Sequence, residues 1–421
     1  MHLNFSSFKQ AFNPKNISFS LLIRWFIAIL LSGTIIGSIS ALFLYILEEV
    51  TELRISHTYL LYVLPLGGFL IGLLYHYYGK EANQGNNLII SEYHTPSKTI
   101  PFRMFPLVLL GTWVTHLFGG SAGREGTAVQ MGGTIADQLN KYLHLGAEAR
   151  KTILLMGVSA GFASVFGTPI AGIFFAFELM LLRNFKLNSL LPVILTAYIS
   201  HYTCIAWGIH HTIYTVDIPI SHTITTLLKC GVIGVVFGLT AYLFILFLQK
   251  WGKLFTTTIT YPPLRPFIGA LLFILLIHTI GNESYLGLGV PTIVDSFTIQ
   301  MNWEVFILKI VFTTLILGAG FKGGEVTPLF FIGATLGSYL SLYVGLPISL
   351  MAALGFVAVF AGATKTPLAC TFMGIELFGI EYAILLAVVC FVAYFTSGKQ
   401  SIYSEQFKNK NKIIDLKSIA S

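Results

Sequence analysis

Long apolar runs recur from near the start of the sequence to near its end. A membrane-spanning helix needs about 20 mostly apolar residues, and many runs approach or exceed that length. They cover residues 21–47, 58–78, 104–118, 151–165, 169–183, 189–208, 225–249, 266–280, 304–319, 328–344, 347–363 and 382–396. Several are too short for a perpendicular crossing, and the chain has 40 glycines, which favours tilted, broken or re-entrant helices. The sequence therefore predicts an all-α integral membrane protein.

Charged residues make up only 10% of the chain, against about a quarter in soluble proteins. The net charge of +7 is interpreted as topology, because basic residues favour the cytoplasmic side of a membrane. Before Glu48 the charged residues are all basic, and the tail from Lys399 has five lysines against two acidic residues. We therefore expect both termini in the cytoplasm. Since no basic cluster marks a folded surface, no nucleic-acid partner is expected.

The sequence contains no motif for a metal, a cofactor or a nucleotide. Cys204, Cys230, Cys370 and Cys390 lie in or beside apolar runs, without close pairing or metal-ligand spacing. We interpret them as small packing residues. Neither a zinc-protease motif nor a phosphate-binding loop occurs. The expectation is a protein that is not an enzyme, has no metal and no cofactor, and whose transport is gradient-driven or passive rather than powered by ATP.

Two polar motifs occur twice, in the same order. Gly123–Gly133 aligns with Gly323–Gly333 at an offset of 200 residues, and Thr168–Leu179 aligns with Thr366–Leu377 at an offset of 198. Two motifs repeated at almost the same shift indicate an internal duplication. Transporters with such repeats bind their substrate at the repeat interface, near the middle of the membrane.

The offsets divide the chain into two transmembrane halves. We predict an N-terminal half over 1–218, a C-terminal half over 219–398 and a short C-terminal segment over 399–421, with the joint near His210–His222. The repeat pattern by itself is compatible with either parallel or inverted halves.

The repeated motifs predict helix starts. In each half, glycines and a carboxylate, Glu125 or Glu325, precede an apolar stretch. The Thr-Pro steps place Pro169 and Pro367 where a first helical turn tolerates proline. A helix N-terminus presents unpaired N–H groups and partial positive charge, and it suits an anion. Two such starts in each half could converge on one central anion.

At these motifs the chain resembles the CLC family of anion channels and transporters, over nearly its whole length. Gly123–Gly126 resembles the family's gating-glutamate motif, and Gly324–Pro328 resembles its second anion-binding loop. Gly85–Ile89 lies where the first such loop would be. Tyr403 resembles the tyrosine near the C-terminus that contacts the anion, if one extra residue follows Lys399.

The resemblance implies the CLC fold, with two inverted repeats of tilted, broken and re-entrant helices, in a homodimer with one pore per subunit. It also implies a multi-pass location in a bacterial-type plasma (inner) membrane, with the lipid bilayer as the surroundings of the protein.

Four positions depart from the pattern of the chloride-handling relatives. Thr127 replaces proline, Asn86 replaces serine and Val326 replaces phenylalanine. Leu179 stands where the proton-coupled chloride antiporters have a second glutamate after the one resembling Glu178. These features resemble the bacterial branch that exchanges fluoride for protons. The implied function is a secondary antiporter that exports fluoride in exchange for protons. A chloride/proton antiporter and a passive anion channel of the same fold remain as alternatives.

The resemblance assigns roles to seven residues. Glu125 would be both the gate that competes with the anion and the carrier of the proton. The implied anion-binding residues are Asn86, Gly126, Thr127, Val326, Thr327 and Tyr403. Most would act through backbone N–H groups at helix starts, while Asn86, Thr127 and Tyr403 would add side-chain donors.

Two of these assignments have a structural alternative. Glu125 could be a helix-capping carboxylate paired with Arg124, although intramembrane carboxylates are functional by default because they are costly. Asn86 could be an ordinary turn residue.

Three further acidic residues in the repeated motifs have open roles. Glu178 and Glu376 occur at the same position of both halves, which favours a shared structural role. Glu178 is nevertheless kept as a candidate participant in transport. Glu325 either belongs to the anion site or neutralises Lys322.

A hypothesis from another class comes from Gly157–Gly161, which fits the Gly-x-Ser-x-Gly pattern of serine hydrolases around Ser159. His116 and His278 lie in apolar segments, so an intramembrane serine protease is a distant alternative. A nucleophile elbow needs a strand–turn–helix context, whereas this segment is typical of a continuous helix. Small residues there are better explained by close helix packing.

Overall fold

The computed structural model describes residues 19–181, 187–216 and 223–407. These residues form helices and connecting turns, and the one strand-like contact among them is an isolated antiparallel bridge between Gly123 and Gly324. The chain termini, whose cytoplasmic location the charge pattern predicts, lie outside the described residues. So does part of the predicted joint between the halves.

The first half contains eight α-helices in the described residues. They are α1 (Phe19–Ser56), α2 (Leu64–Leu74), α3 (Asn86–His94), α4 (Met104–Leu117), α5 (Glu125–Leu143), α6 (Ala147–Phe166), α7 (Pro169–Leu179) and α8 (Leu187–Ala206).

The second half also contains eight α-helices in its described part. They are α9 (Ile224–Thr258), α10 (Leu264–Ile280), α11 (Val290–Asp295), α12 (Trp303–Ala319), α13 (Val326–Val344), α14 (Ile348–Thr364), α15 (Pro367–Phe378) and α16 (Ala383–Thr396). Among the described residues, six helical segments are long and apolar enough to cross a membrane.

Each apolar run contains a helix in the part that the structure describes, but hydropathy alone misses α3, α5, α11 and α15. Helix α5 shows why. Its first thirteen residues, Glu125–Asp137, are all buried. A helix enclosed by other helices does not face lipid, so it can carry polar and small residues and still lie inside the membrane. The repeated motifs, rather than hydropathy, predict the starts of α5, α13 and α15.

Glycines allow the helices around the site to pack backbone to backbone. A Cβ atom at Gly132 on α5 would collide with the carbonyl of Gly157 on α6, and one at Gly157 would meet the carbonyl of Gly132. The same reciprocal relation joins Gly333 on α13 to Gly355 on α14. Small residues permit this close approach inside membranes. The two halves therefore use the same packing solution.

The two halves meet with two-fold pseudo-symmetry. Phe174 on α7 and Phe372 on α15 occupy equivalent positions, and their rings stack with centroids 4.2 Å apart and an interplanar angle of 7°. Contacts between equivalent residues arise when a two-fold axis relates the repeats. This symmetry brings the helix starts of both halves to the middle of the molecule.

An ion-pair network holds α3 against α5 and α6. Arg150 on α6 donates to Asp137 of α5 at 2.6 and 2.9 Å and to Glu92 of α3 at 3.0 Å. Asp137 also accepts from the backbone N–H of Ile100, and Glu92 accepts from the N–H and hydroxyl of Ser97. Because the buried charges are paired and hydrogen-bonded, removing any one would leave its partner uncompensated. The network thereby fixes the position of α3.

Candidate functional site

The loops that precede α5 and α13 are joined to each other. The N–H of Gly123 donates to the carbonyl of Gly324 at 2.6 Å, and the N–H of Gly324 donates to the carbonyl of Gly123 at 2.7 Å. A Cβ atom at Gly324 would lie only 2.6 Å from the backbone nitrogen of Gly126. Glycine is needed there because the loop of the second half runs directly in front of the α5 N-terminus. Equivalent helix starts from the two halves therefore meet at one point.

Glu125 lies at this meeting point, and its side chain is 2% exposed. Its Oε2 accepts from the N–H of Thr327 at 3.1 Å, and its Oε1 accepts from the Thr327 hydroxyl at 2.5 Å. Oε2 also accepts from the N–H of Arg124 at 3.1 Å, and the Arg124 Nε is 3.7 Å from Oε1. A carboxylate from the first half thus caps the start of α13 in the second half.

The position of this carboxylate is one that a free anion could take. A helix N-terminus stabilises negative charge through its unpaired N–H groups and dipole. Helix α5 leaves the N–H groups of Glu125, Gly126 and Thr127 without partners in the helix, since the first bond within it runs from Ala128 to the carbonyl of Arg124. The structural alternative for Glu125, a capping carboxylate beside Arg124, therefore describes its geometry and is compatible with competition against an anion.

A cavity of about 170 Å³ lies beside the starts of α3 and α13. Its polar lining includes Asn83, Asn86, Gln130, Lys322, Glu325 and Tyr403. Gly85, which precedes α3, has a φ of 56°, a conformation that glycine adopts without strain. The cavity thus brings together residues from α3, α5, the loop before α13 and the C-terminal segment.

Two buried oxygen atoms near this cavity have no hydrogen-bond partner among the described residues, Asn86 Oδ1 and Glu325 Oε2. A Cβ atom at Gly126 would lie 3.3 Å from Asn86 Nδ2 and 3.4 Å from Glu325 Oε2. The two side chains therefore approach the α5 N-terminus from one side. Unpartnered buried polar atoms usually mark a place for water, an ion or a catalytic function.

Tyr403 is 3% exposed and lies in the segment that follows α16. The N–H of Ile402 donates to the carbonyl of Ala363, and Lys365 donates to Ser397 Oγ at 2.6 Å. These bonds fasten the segment to the end of α14. Tyr403 also borders a second cavity of about 830 Å³, and so separates this larger opening from the cavity beside α3.

The structure places the predicted anion-binding residues unequally. Asn86 and Tyr403 line the cavity, and Gly126 lies next to the side-chain amide of Asn86. Thr327 contacts Glu125, while Val326 is buried with 1% exposure.

The hydroxyl of Thr127 does not face the cavity as a free donor. It lies 2.7 Å from the hydroxyl of Thr112, which itself donates to the carbonyl of Val108 at 2.7 Å. Because the hydroxyl hydrogen of Thr112 is donated to Val108, the hydroxyl of Thr127 must donate to that of Thr112. The prediction that the Thr127 hydroxyl serves as a side-chain donor to an anion therefore does not fit this geometry.

Glu178 and Glu376 each cap the N-terminus of a helix in the opposite half. The carboxylate of Glu178, at the end of α7, accepts from the N–H groups of Leu368 and Ala369 at 3.1 and 2.7 Å. Glu376, near the end of α15, accepts from the N–H groups of Ile170 and Ala171 at 2.9 and 2.8 Å. The α7 and α15 starts are thus occupied by side chains of the protein. Of the four predicted helix starts, the other two meet at Glu125.

Glu325 does not neutralise Lys322 by a direct ion pair. Among the described residues, no carboxylate oxygen lies within 4.0 Å of the Lys322 ammonium. The ammonium instead lies 3.9 Å from the centroid of the Tyr75 ring. Both charged side chains line the same cavity without bonding to each other.

The distant protease interpretation is wrong. Ser159 lies in the middle of α6, a continuous helix, and is fully buried. Both ring nitrogens of His116 lie within 3.1 Å of backbone carbonyl oxygens, and His278 stacks on Tyr62. A nucleophile with no base and no sharp turn cannot form a catalytic triad.

Sequence reasoning missed Asn83 and Gln130 as lining residues, and it considered Lys322 only as a counter-charge. One signal was available for Gln130, since it follows Glu125 by five residues on the same helix and belongs to the repeated motif. Nothing in the local sequence places Asn83 near Glu125 or Gln130.

The chain matches known proteins over most of its length. Residues 67–398 match the family model for voltage gated chloride channels. The chloride/fluoride channel protein of Pseudomonas syringae pv. tomato is 46% identical over 389 residues, covering 91% of this chain and 86% of that protein.

Solved structures give the same result. A crystal structure of a CLC-type fluoride/proton antiporter is 39% identical, with a TM-score of 0.89, and the match covers 93% of this chain and 99% of that one. A slow cyanobacterial Cl⁻/H⁺ antiporter is 19% identical with a TM-score of 0.80, over 92% and 98% of the two chains, and it supports the fold alone. The prediction of a CLC fold with two inverted repeats is confirmed, and this chain belongs to the voltage gated chloride channel (CLC) family.

Proposed function

We propose that this protein is a secondary antiporter that exports fluoride in exchange for protons. The observation that carries the proposal is the Glu125 carboxylate, which takes the N–H and O–H donors of Thr327 at the start of a helix in the other half. The relatives support the choice of ions, since one is named a chloride/fluoride channel protein and another is described as a fluoride/proton antiporter.

In this proposal Glu125 couples the two ions by changing its charge. The ionised carboxylate competes with an anion for the helix N-termini, whereas the protonated side chain has no charge and gives up that position. Thr327 N–H and O–H are then free to donate to the anion. The Arg124 Nε lies 3.7 Å from the carboxylate. Binding of the proton and binding of the anion are thereby linked at one residue.

In this proposal the anion moves between the helix starts beside Glu125 and the cavity beside α3. Asn86 supplies an amide donor close to Gly126, and Tyr403 supplies a phenol at the opening. The unpartnered oxygen of Glu325 is a candidate acceptor for a proton or for a water molecule. Leu179 is apolar and cannot relay a proton, so we expect the proton to travel by water or with Glu125 itself.

Fluoride is favoured over chloride by the donors available. Fluoride is smaller and more tightly hydrated, so its site must offer stronger hydrogen bonding to offset desolvation. An asparagine amide at position 86 has two N–H donors, where a serine would have one hydroxyl. A chloride/proton antiporter remains the second candidate, and a passive channel the third, because one relative is named a channel.

The membrane arrangement is also a proposal. The chain belongs to a family of membrane transporters. We infer that it lies in a bacterial-type inner membrane with both termini in the cytoplasm, and that its two halves cover 1–218 and 219–398.

We further infer that the protein is a homodimer whose subunits each hold one pathway. Light scattering of the purified protein would measure the number of subunits, and a monomer would contradict the dimer.

The test of the proposed function is ion flux from proteoliposomes, with external pH recorded. Fluoride efflux should greatly exceed chloride efflux, and a fluoride gradient should drive protons in the opposite direction. Equal flux of the two halides would leave the CLC fold standing but reject the fluoride assignment. Fluoride flux without any proton movement would indicate a channel.

A further inference from the structure

Lys322 lies in the wall of the cavity that contains Asn86 and Tyr403. Its stem passes Gly111 on α4, where a Cβ atom would lie 2.8 and 2.9 Å from the Lys322 Cβ and Cγ. Glycine at that position therefore makes room for the lysine. The ammonium ends over the face of Tyr75, 3.9 Å from the ring centroid, an arrangement attractive for a cation.

Two buried lysines elsewhere in the protein, Lys309 and Lys365, show what is unusual about Lys322. Lys309 donates to two backbone carbonyl oxygens, each at 3.0 Å. Lys365 donates to a hydroxyl at 2.6 Å and to a carbonyl at 2.7 Å. Lys322, in contrast, has no hydrogen-bond acceptor among the described residues. A ring face attracts the charge but leaves the N–H donors of an ammonium available.

The other groups in the cavity wall do not take these donors. Glu325 is the single carboxylate and Lys322 the single cation among the described lining residues, and they form no ion pair. The remaining polar side chains include the amides of Asn83, Asn86 and Gln130. The cavity therefore holds a positive charge that an entering anion can reach without breaking a salt bridge.

We propose that Lys322 is a further anion-binding residue, which attracts the halide into this cavity and donates to it there. The proposal rests on the proposed anion transport and adds a residue to its pathway. Tyr75 holds the ammonium beside the cavity while the anion is absent. When the anion enters, the ammonium turns from the ring and supplies a charged donor, which is stronger than a neutral one. The desolvation of fluoride makes such a donor especially useful.

The first test replaces the charge and keeps the stem. Lys322→Met should raise the KM for fluoride by roughly tenfold, as expected for the loss of one partly screened charge contact. The KM is measured with fluoride supplied from the side of the membrane on which this cavity opens. The maximal rate should change much less, and Lys322→Arg should retain most of the affinity. Lys98→Met is the matched control, because Lys98 is exposed and outside this cavity. An unchanged KM in Lys322→Met would overturn the proposal.

The second test separates charge from packing. Lys322→Cys would be treated with methanethiosulfonates that attach an aminoethyl, a hydroxyethyl or a sulfonatoethyl group, and the four native cysteines are buried. Only the aminoethyl group should restore a low KM, and the sulfonate should raise the KM further. Equal restoration by the neutral group would show that Lys322 merely fills space. This test also decides the matter if Lys322→Met does not fold.

These outcomes are distinct from failure of the proposed function. Both halides would be measured with every variant. If the wild type carries chloride but not fluoride, the fluoride assignment fails, and the effect of Lys322 is read from chloride. If the wild type carries fluoride and the Lys322 variants match it, only the inference about Lys322 fails.

Discussion

Glu125 lies where the helix starts of the two halves meet. It is a buried carboxylate, which is costly inside a membrane, and it is stabilised by the N–H and O–H donors of Thr327 in the other half. The donors belong to the start of a helix, which is also where an anion would bind. A carboxylate and an anion therefore compete for the same donors in the proposed mechanism.

Replacing Glu125 by glutamine should abolish proton movement driven by a fluoride gradient. Glutamine keeps the size of the side chain and one acceptor oxygen but does not titrate. The measurement is the external pH of proteoliposomes during fluoride efflux. Glu52→Gln, at an exposed position on α1, is the control and should couple normally. Proton uptake by Glu125→Gln at the wild-type rate would remove Glu125 from the coupling mechanism.

Asn86→Ser should reduce the preference for fluoride over chloride. The substitution removes two amide donors from the cavity wall and supplies one hydroxyl, and each net hydrogen bond to an ion is worth about 1.5–3 kcal/mol. We expect the ratio of fluoride to chloride flux to fall by about tenfold or more. Asn140→Ser, on α5 but outside the cavity lining, is the control. A ratio unchanged in Asn86→Ser would show that selectivity arises elsewhere.

At the scale of helices, the exchange of caps between α7 and α15 locks the halves together. Each helix ends near a glutamate that accepts from two N–H groups at the start of the other. The arrangement satisfies N-terminal groups that would otherwise be unpaired inside the membrane. Of the four repeated helix starts, it leaves those of α5 and α13 to serve a transported anion.

Glu178→Ala and Glu376→Ala should destabilise the protein by similar amounts. Each substitution removes a charged cap from two N–H groups, and losing a cap costs about 0.5–2 kcal/mol. The melting temperature of the detergent-purified protein should therefore fall in both variants. Glu381→Ala, exposed on the short turn Ile380–Tyr382, should melt like the wild type. A loss of stability in only one of the two would contradict the symmetric role.

At the scale of the whole molecule, inverted repeats place equivalent loops on opposite sides of the membrane. The loop between α3 and α4 and the loop between α11 and α12 are such a pair. Lys98 and Thr298 are exposed positions in these loops, and the native cysteines are buried. A membrane-impermeant thiol reagent applied to intact cells should therefore label only one of the variants Lys98→Cys and Thr298→Cys.

Both variants should react once the membrane is opened with detergent, and the wild type should remain unlabelled as the control. The variant that is labelled only after the membrane has been opened then identifies the loop that faces the cytoplasm. Labelling of both variants from outside would contradict the inverted topology.

The amino-acid sequence by itself determined the membrane class, the duplication and the position of Glu125. Hydropathy reports on apolar composition, so it located the twelve helices that carry the apolar runs, and the motif offset of 200 residues revealed the repeat. The buried, free state of the cysteines was also predictable from their apolar surroundings, and it is confirmed. These are local properties that each segment carries in its own residues.

Only the tertiary structure decided which groups meet. Glu125 and Thr327 are 202 positions apart, and Asn87 accepts from the N–H of Glu405 across 318 positions. Hydropathy also missed α5, because a helix surrounded by other helices needs no apolar surface. The hydroxyl of Thr127 was committed to Thr112 by the packing of α4 against α5. Hydrogen bonds and cavities depend on distances between remote segments, and those distances exist only after the two halves have packed together.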